Sequence, residues 1–267
     1  MAKLLIFGCG FTGKFIARDW QGEVTAVTRA NFDALNALGI STIAFDHSQE
    51  VHAAIAEASV IIFAAPPPDL AFEKYHREIA ATTAWKAYLS TTAVYGDQDG
   101  AWVDEVTAPA PTSPRGILRL ATEMSWQKSS SDINIFRLSG IYGPGRNPLE
   151  KIKSGRTRKI IKQGQMFGRI HVEDIARVVR ASFHANDRGE VYNLTDDLPA
   201  SPQEVLDYAS ALLSLPKLPP VNFEDAKMTD MARSFYSENK RVSNAKIRER
   251  FGAMIYPTYK EGLDALC

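Results

Sequence analysis

Three glycines near the start of the chain have the spacing of a dinucleotide-binding turn. A short apolar run, Leu4–Phe7, leads directly into the segment Gly8-Cys9-Gly10-Phe11-Thr12-Gly13. In a Gly-x-Gly-x-x-Gly turn after a buried strand, the first glycine permits the tight turn, the second lets a pyrophosphate approach the backbone, and the third lets the next helix pack closely. A helix that begins near Thr12 offers free N–H groups and the positive end of its dipole to the phosphates. The spacing therefore predicts a nucleotide site at Gly8–Gly13.

The end of the second apolar run indicates which dinucleotide binds. This run, Val24–Thr28, is followed by Arg29 and has no carboxylate at its end. Folds that prefer NAD usually carry Asp or Glu there, which binds the ribose 2′-hydroxyl, whereas an arginine can form a bidentate bond to a 2′-phosphate. Thr28 can add a hydroxyl donor; the alternative is that Arg29 only starts a surface loop. We therefore expect NADP(H) to be preferred over NAD(H).

The glycine turn needs a sheet to position it, and apolar runs recur along the first half of the chain. The strand-like runs are Leu4–Phe7, Val24–Thr28, Thr42–Phe45, Val60–Ala64, Ala87–Ser90 and Ile133–Leu138. Helix-like segments separate most of them, such as Thr12–Trp20, Val51–Ala58 and Leu70–Thr83. This alternation predicts an α/β fold, a doubly wound parallel sheet with helices on both faces, known as the Rossmann fold. After the fourth run, small side chains let a cofactor pass close to Ala64, Ala65 and Pro66.

The pattern becomes irregular after about residue 145, where prolines separate short helices such as Pro202–Leu213. This irregularity predicts a small, discontinuous substrate-binding lobe at the carboxyl ends of the strands, where ligands bind in open α/β sheets. We place the dinucleotide-binding domain at 1–145 and the lobe at 146–267, with 169–195 returning to the first domain.

Composition argues against several classes of partner. The chain has 31 Lys+Arg and 31 Asp+Glu residues, so its net charge gives no reason to expect binding to nucleic acid or to an anionic membrane. No apolar stretch approaches the roughly 20 residues of a transmembrane helix. The two cysteines, Cys9 and Cys267, provide no disulfide framework, which favours a reduced, cytoplasmic location. The basic run 151–162 either lines an anionic substrate pocket or forms a solvated surface.

Four separate segments carry a resemblance to a known family. They are Gly8–Gly13, Leu89–Gly96, Phe136–Gly145 and Arg169–Ala176. In this order they resemble the extended short-chain dehydrogenase/reductases, the group that contains nucleotide-sugar epimerases and dehydratases. The resemblance implies that Thr91 supplies the hydroxyl that holds the reacting oxygen, and that Asp46 and Tyr142 contact the cofactor. The alternative for Asp46 is a plain turn aspartate. It also implies a homodimer formed through the two long helices beside the active-site strand.

The chain departs from this family at the acid–base pair. The family uses Tyr-x-x-x-Lys, in which the lysine cation and the oxidised nicotinamide lower the tyrosine pKa, so that the tyrosine can exchange a proton with the substrate. Here Arg115 occupies the tyrosine position and Arg119 the lysine position. An arginine keeps its proton at any working pH, so Arg115 cannot be the usual acid–base group.

Three interpretations of this departure stay open. Arg115 and Arg119, spaced i and i+4, bind an anionic group of the ligand; or Tyr95 or Tyr142 supplies the proton; or the chain binds NADP without turnover, as a sensor or scaffold. The leading hypothesis is an NADP(H)-dependent oxidoreductase or epimerase-like enzyme. It would act by hydride transfer on a small carbonyl or hydroxyl compound, either anionic or nucleotide-linked, which the sequence does not identify.

The histidines indicate no metal site. His171 lies close to Glu173 and Asp174, but in the family this segment forms a pocket wall and starts a helix, where a carboxylate favours the positive end of the dipole. The other four histidines are scattered and lack metal-ligand spacing. We therefore expect no resident metal.

Overall fold

The computed structural model of the protein describes residues 1–66, 68, 70–155 and 157–267, so Arg156 of the basic run lies outside the described residues. The strands are β1 (Leu4–Phe7), β2 (Val24–Thr28), β3 (Ser41–Ala44), β4 (Val60–Phe63), β5 (Trp85–Thr91), β6 (Trp102–Val103), β7 (Asn134–Leu138), β8 (Gly140–Tyr142), β9 (Lys159–Ile161), β10 (Arg169–His171), β11 (Val191–Leu194), β12 (Pro220–Asn222) and β13 (Arg241–Val242). The helices are α1 (Phe11–Arg18), α2 (Phe32–Asn36), α3 (Ser48–Glu57), α4 (Leu70–Ala81), α5 (Pro114–Ser129), α6 (Pro148–Lys153), α7 (Val172–His184), α8 (Pro202–Leu212), α9 (Asp230–Phe235), α10 (Ala245–Phe251) and α11 (Tyr259–Asp264). None of the helices formed by these residues has the length and apolar character needed to cross a membrane.

Seven strands form one sheet in the order β11-β7-β5-β4-β1-β2-β3. β1 pairs in parallel with both β2 and β4, so that Leu4 lies opposite Val24 on one side and Val60 on the other. The pairs β2–β3 and β4–β5 are also parallel. The chain moves outward from β1 to β3 and then crosses to β4, so the strand order reverses between β1 and β4. This strand order confirms the predicted Rossmann fold. In open α/β sheets, ligands bind beside such a reversal.

The central strands consist of residues that are buried on both faces of the sheet. All four residues of β1 and all four of β4 are buried. Phe63 stacks on Phe7 and on Trp126, with ring centroids 5.3 and 4.0 Å apart, and Ile55 of α3 and Ile79 of α4 join the same core. Continuous apolar strands are typical of parallel sheets with covered faces. This packing fixes the point at which β1 ends and the glycine turn begins.

The predicted strands and helices are confirmed, with small shifts at their ends. The most informative of these shifts is in β5. The sequence pattern begins this strand at Ala87, since a charged Lys86 interrupts the apolar run, whereas the strand starts at Trp85. Lys86 is buried, and its Nζ lies 3.0 Å from Oδ2 of Asp132. The ion pair compensates the buried cation, so a lysine lies within a core strand.

The chain forms two compact units, each built from three segments. Unit 1 comprises 1–91, 117–137 and 175–192, and unit 2 comprises 92–116, 138–174 and 193–267. Unit 1 contains the glycine turn and β1 to β5. The buried core of unit 2 includes Tyr142, Leu149, Ile152, Val205, Tyr259 and Leu263. The assignment of 1–145 to cofactor binding and 146–267 mostly to substrate binding stays a prediction.

Candidate functional site

The glycine turn packs directly against the loop that follows β4. Gly8 has a φ of +85°, a left-handed conformation that favours glycine, and an added Cβ would lie 2.7 Å from Cα of Ala65. The Gly8 N–H donates to the carbonyl of Val27 over 3.0 Å, and the Gly10 N–H donates to the carbonyl of Gly8 over 2.9 Å. Gly8 is thus required by the turn and by the close approach of Ala65, which Ala64 and Pro66 flank in the chain.

The N-terminus of α1 is open to an anion. Gly10 is the N-cap residue, no side chain caps this end, and the first turn contains no acid. Since the first N–H groups of a helix have no intrahelical acceptor, they are available to a phosphate. An added Cβ on Gly10 would meet no atom of the described residues within 4 Å, so the space outside the turn is clear. The turn fits a pyrophosphate, which Gly8, Gly10, Phe11, Thr12 and Gly13 would hold.

A buried thiol lies inside this turn. Cys9 is 5% exposed, and burial raises the pKa of its thiol to about 11. Its Sγ would lie 3.2 Å from an added Cβ on Gly13, so the third glycine lets α1 pack against Cys9. The thiol stays uncharged at neutral pH and adds no negative charge beside the amides that would bind phosphate.

The loop after β2 presents Arg29 at the surface. Arg29 is exposed and forms no hydrogen bond or ion pair with the residues that the structure describes. Thr28 bonds within the loop, since its Oγ1 donates to the carbonyl of Ala30 over 2.7 Å and accepts from the Ala30 N–H over 3.3 Å. The guanidinium is available to a ligand, whereas the hydroxyl that was expected to donate to a phosphate is engaged in the turn.

The carboxyl ends of the parallel strands bring further predicted residues to the same edge of the sheet. Thr91 is the last residue of β5 and is half-buried. Asp46 follows β3 by two residues and is exposed. Thr28 ends β2. Because carboxyl ends of parallel strands meet at one edge, these residues share the edge with the glycine turn.

Arg119, which was predicted to take the lysine position of the family, is buried against β5. Its Nη1 donates to Oη of Tyr88 over 2.9 Å, to the carbonyl of Leu89 over 3.1 Å, and more weakly to the carbonyl of Ala65 over 3.5 Å. The side chain is 8% exposed, and its Nε has no hydrogen-bond partner among the described residues. Arg119 therefore joins α5 to β5 and to the loop after β4.

A buried ion pair lies one turn further along α5. Oε2 of Glu123 lies 2.8 Å from Nη2 of Arg137, both side chains are almost fully buried, and the Ser90 hydroxyl donates to Glu123. With Arg119, this gives α5 two successive attachments to β5. Glu123 was not predicted from the sequence, where its signal was an acidic residue four positions after Arg119, on the same face of the helix.

The remaining candidates lie in unit 2. Arg115 is exposed, and its Cζ lies 5.5 Å from the ring centroid of Phe235. The buried hydroxyl of Tyr95 donates to Oδ1 of Asn193 over 2.8 Å. Tyr142 is also buried, and burial raises the pKa of its phenol, which keeps it protonated. Its Oη has no hydrogen-bond partner among the described residues.

The segment around His171 has a local structural role in unit 2. Nδ1 of His171 accepts the Glu173 N–H over 3.3 Å, and burial lowers the pKa of the imidazole to about 4. The carboxylate of Asp174 accepts the N–H groups of Ile255 and Tyr256 over 2.7 and 3.0 Å. Asp174 therefore holds the start of α7 against the segment before α11.

Known proteins resemble this chain in sequence, in fold, or in both. No family model matches the chain. Protein YeeZ of Escherichia coli (strain K12) is 25% identical over 266 residues, which cover 91% of this chain and 94% of YeeZ. The solved structure of UDP-glucuronic acid 4-epimerase from Bacillus cereus, in complex with UDP-glucuronic acid and NAD, is 19% identical. Its TM-score is 0.77 over 98% of this chain and 97% of the epimerase, so this likeness shows the fold.

A functionally unknown conserved protein from Silicibacter pomeroyi DSS has a much more similar sequence and structure. It is 42% identical, with a TM-score of 0.92 over 100% of this chain and 98% of that protein. The chain therefore belongs to the same family as this Silicibacter pomeroyi protein, and it shares its fold with the Bacillus cereus epimerase.

Proposed function

We propose that the protein binds NADP(H) at Gly8–Gly13 and transfers hydride between the nicotinamide and a small carbonyl or hydroxyl compound, as an oxidoreductase or epimerase-like enzyme. The observation that carries this proposal is the uncapped N-terminus of α1 after the glycine turn, beside the reversal of strand order. The NAD complex of the Bacillus cereus epimerase, which shares the fold, supports a nicotinamide dinucleotide as the ligand.

The preference for NADP(H) rests on the loop after β2. Arg29 is exposed there, and residues 28–31 contain no carboxylate to bind a ribose 2′-hydroxyl or to repel a phosphate. An arginine binds a phosphate through two parallel, charge-assisted hydrogen bonds. NADP(H) gains this interaction and NAD(H) does not.

The predicted site residues have separate proposed roles in the reaction. When bound, the nicotinamide supplies or accepts the hydride. The hydroxyl of Thr91 would hold the reacting oxygen, and Arg119 would keep the end of β5 and the loop after β4 in place. Arg115 would bind an anionic group of the substrate, which favours an anionic or nucleotide-linked compound. The UDP-glucuronic acid bound to the Bacillus cereus epimerase supports the nucleotide-linked class.

Equilibrium binding tests the cofactor part of the proposal. We expect NADPH to bind more tightly than NADH when each is titrated and followed by its fluorescence. Arg29→Asp should weaken NADPH by about 10- to 100-fold, the range of a lost charge-assisted bond, and leave NADH within about twofold. An equal loss for both dinucleotides would remove Arg29 from the phosphate site.

Turnover tests the hydride-transfer part. Purified protein is incubated with NADPH and carbonyl compounds, and separately with UDP-sugars, and the products are followed by absorbance of the nicotinamide and by NMR. Oxidation of NADPH, or interconversion of a sugar, supports the proposal. Tight NADPH binding without any turnover would leave the dinucleotide site in place and overturn the enzymatic role.

A further inference from the structure

The short loop after β2 is held at both of its ends. The Phe45 N–H donates to the carbonyl of Thr28 over 3.0 Å, which ties the start of the loop to the end of β3. At the other end, Asn31 has a φ of +66° as the residue before α2, and its carbonyl accepts the Leu35 N–H over 3.1 Å. Only Arg29 and Ala30 lie between these two points, so the path of the loop determines the position from which the Arg29 side chain extends.

The Thr28 side chain closes this loop on itself. Its Oγ1 donates to the carbonyl of Ala30 over 2.7 Å and accepts the Ala30 N–H over 3.3 Å. A hydroxyl has one proton to donate, and here that proton is committed to a backbone carbonyl. The same side chain bridges across Arg29, because its two bonds reach the residue on the far side.

We infer that Thr28 is a positioning residue for Arg29, and that it contributes to the NADP(H) preference by shaping the loop, without contacting the 2′-phosphate. This inference rests on the proposed function, since it assumes that Arg29 binds the phosphate. It differs from the expectation that the Thr28 hydroxyl donates to the phosphate directly. A side chain that shapes the loop affects NADPH only through Arg29, whereas a direct donor acts independently of Arg29.

The test compares isosteric and conservative substitutions by equilibrium binding of NADPH and NADH. Thr28→Val keeps the β-branched shape and removes the hydroxyl, and we expect it to weaken NADPH about fivefold, the effect of one lost turn hydrogen bond. Thr28→Ser keeps the hydroxyl and should bind NADPH within about twofold of the wild-type protein. NADH should change less than about twofold in both variants. A matched control is Thr42→Val, which removes a hydroxyl that donates to Oδ1 of Asn36 and should leave NADPH binding unchanged.

A double-mutant cycle separates positioning from direct contact. In an Arg29→Ala background, Thr28→Val should have no further effect on NADPH if Thr28 acts through Arg29. A full additional loss in that background would show a direct contact and overturn the inference. NADPH binding by Thr28→Val that equals binding by the wild-type protein would also overturn the inference.

Failure of the proposed function gives a different result. If the wild-type protein binds NADPH no more tightly than NADH, the NADP(H) preference and the inference fall together. If the preference is present and depends on Arg29 but not on Thr28, only the inference falls. Thermal melting of each variant checks that the fold is retained.

Discussion

Nη1 of Arg119 donates to the phenol oxygen of Tyr88 over 2.9 Å, and both groups are buried within unit 1. The same nitrogen reaches the carbonyl of Leu89, the second residue before the end of β5. From the sequence, Arg119 is predicted to take the position of a lysine that acts on a neighbouring tyrosine. Here the Arg119 cation is hydrogen-bonded to β5, so we expect its removal to lower the stability of the fold.

Arg119→Ala should destabilise the protein by about 2 kcal/mol, because the Tyr88 phenol and the Leu89 carbonyl lose a charged donor in a buried setting. Arg119→Lys retains one cationic donor and should lose less. The measurement is urea unfolding at neutral pH. The matched control is Arg77→Ala on the exposed side of α4, which should lie within about 0.5 kcal/mol of the wild-type protein; an equal value for Arg119→Ala would contradict the prediction.

Gly10→Ala should lower both the stability of the fold and the affinity for dinucleotides. Gly10 has φ −84° and ψ −147°, a pair outside the main regions of residues with a Cβ, so the substitution should cost about 1–3 kcal/mol of stability, and each kcal/mol should lower the melting temperature by about 2–4 °C. The new methyl group would enter the clear space outside the turn, where the pyrophosphate is proposed to lie. NADPH and NADH should both bind at least about tenfold more weakly, a loss of about 1.4 kcal/mol. Unchanged affinity for both would place the pyrophosphate elsewhere.

Gly262 and Tyr142 form a tight contact in unit 2 that can be tested by a double-mutant cycle. An added Cβ on Gly262 would lie 2.0 Å from Oη of Tyr142 and 2.7 Å from its Cζ. Gly262→Ala should therefore cost about 1–3 kcal/mol through overpacking. Tyr142→Phe alone should be nearly neutral, because Oη has no hydrogen-bond partner among the described residues.

Combining the two substitutions should recover part of the loss, since the nearest atom is gone while Cζ remains. The free energy of unfolding is measured for all four proteins. Strict additivity of the two single changes would mean that the Tyr142 hydroxyl does not oppose the methyl group.

The stability of the protein should depend on pH through Asp196. This side chain is 1% exposed, and burial raises the pKa of its carboxyl to about 7, against the lowering effect of the Arg169 cation. The folded pKa lies above the unfolded value of about 3.9, so the native state binds the proton more tightly. The resulting stability is fully present below about pH 4 and is lost as the pH rises through 7, by at most about 1.4 kcal/mol per pH unit.

Asp196→Asn should remove this dependence, which is measured as the difference in unfolding free energy between variant and wild-type protein from pH 5 to 8. Taking the difference cancels the opposite contribution of His171, whose folded pKa is lowered to about 4 and whose stability is lost as the pH falls. A difference that stays constant over this range would show that Asp196 is ionised throughout.

The sheet and the glycine turn could be predicted from the sequence because both depend on short, local patterns of residues. Apolar runs such as Val60–Phe63 mark strands buried on both faces, and a glycine triplet after such a run implies one backbone geometry. The same local patterns predicted a β5 strand that is too short. Lys86 can lie inside this strand because it pairs with Asp132, which is far away in the chain.

The candidate site was predicted less completely, because the surroundings of a side chain depend on tertiary contacts. The assignment of Arg119 to the lysine position stays a prediction, and its bonds to Tyr88 and Leu89, which the sequence did not predict, follow from the packing of α5 on β5. Likewise, a Thr-Arg pair at the end of a strand does not show whether the hydroxyl turns toward a ligand or back into its own loop. The roles of Thr91, Arg115 and Tyr95 in a reaction stay predictions.

The buried thiol in the glycine turn has a practical consequence for labelling. With a pKa of about 11, only about one part in ten thousand of Cys9 is thiolate at pH 7, and the thiolate is the form that reacts with alkylating reagents. Cys267, by contrast, is exposed. A maleimide dye should therefore attach to Cys267 alone in the native protein, which gives a single-site fluorescent derivative without mutagenesis and with the nucleotide turn unmodified.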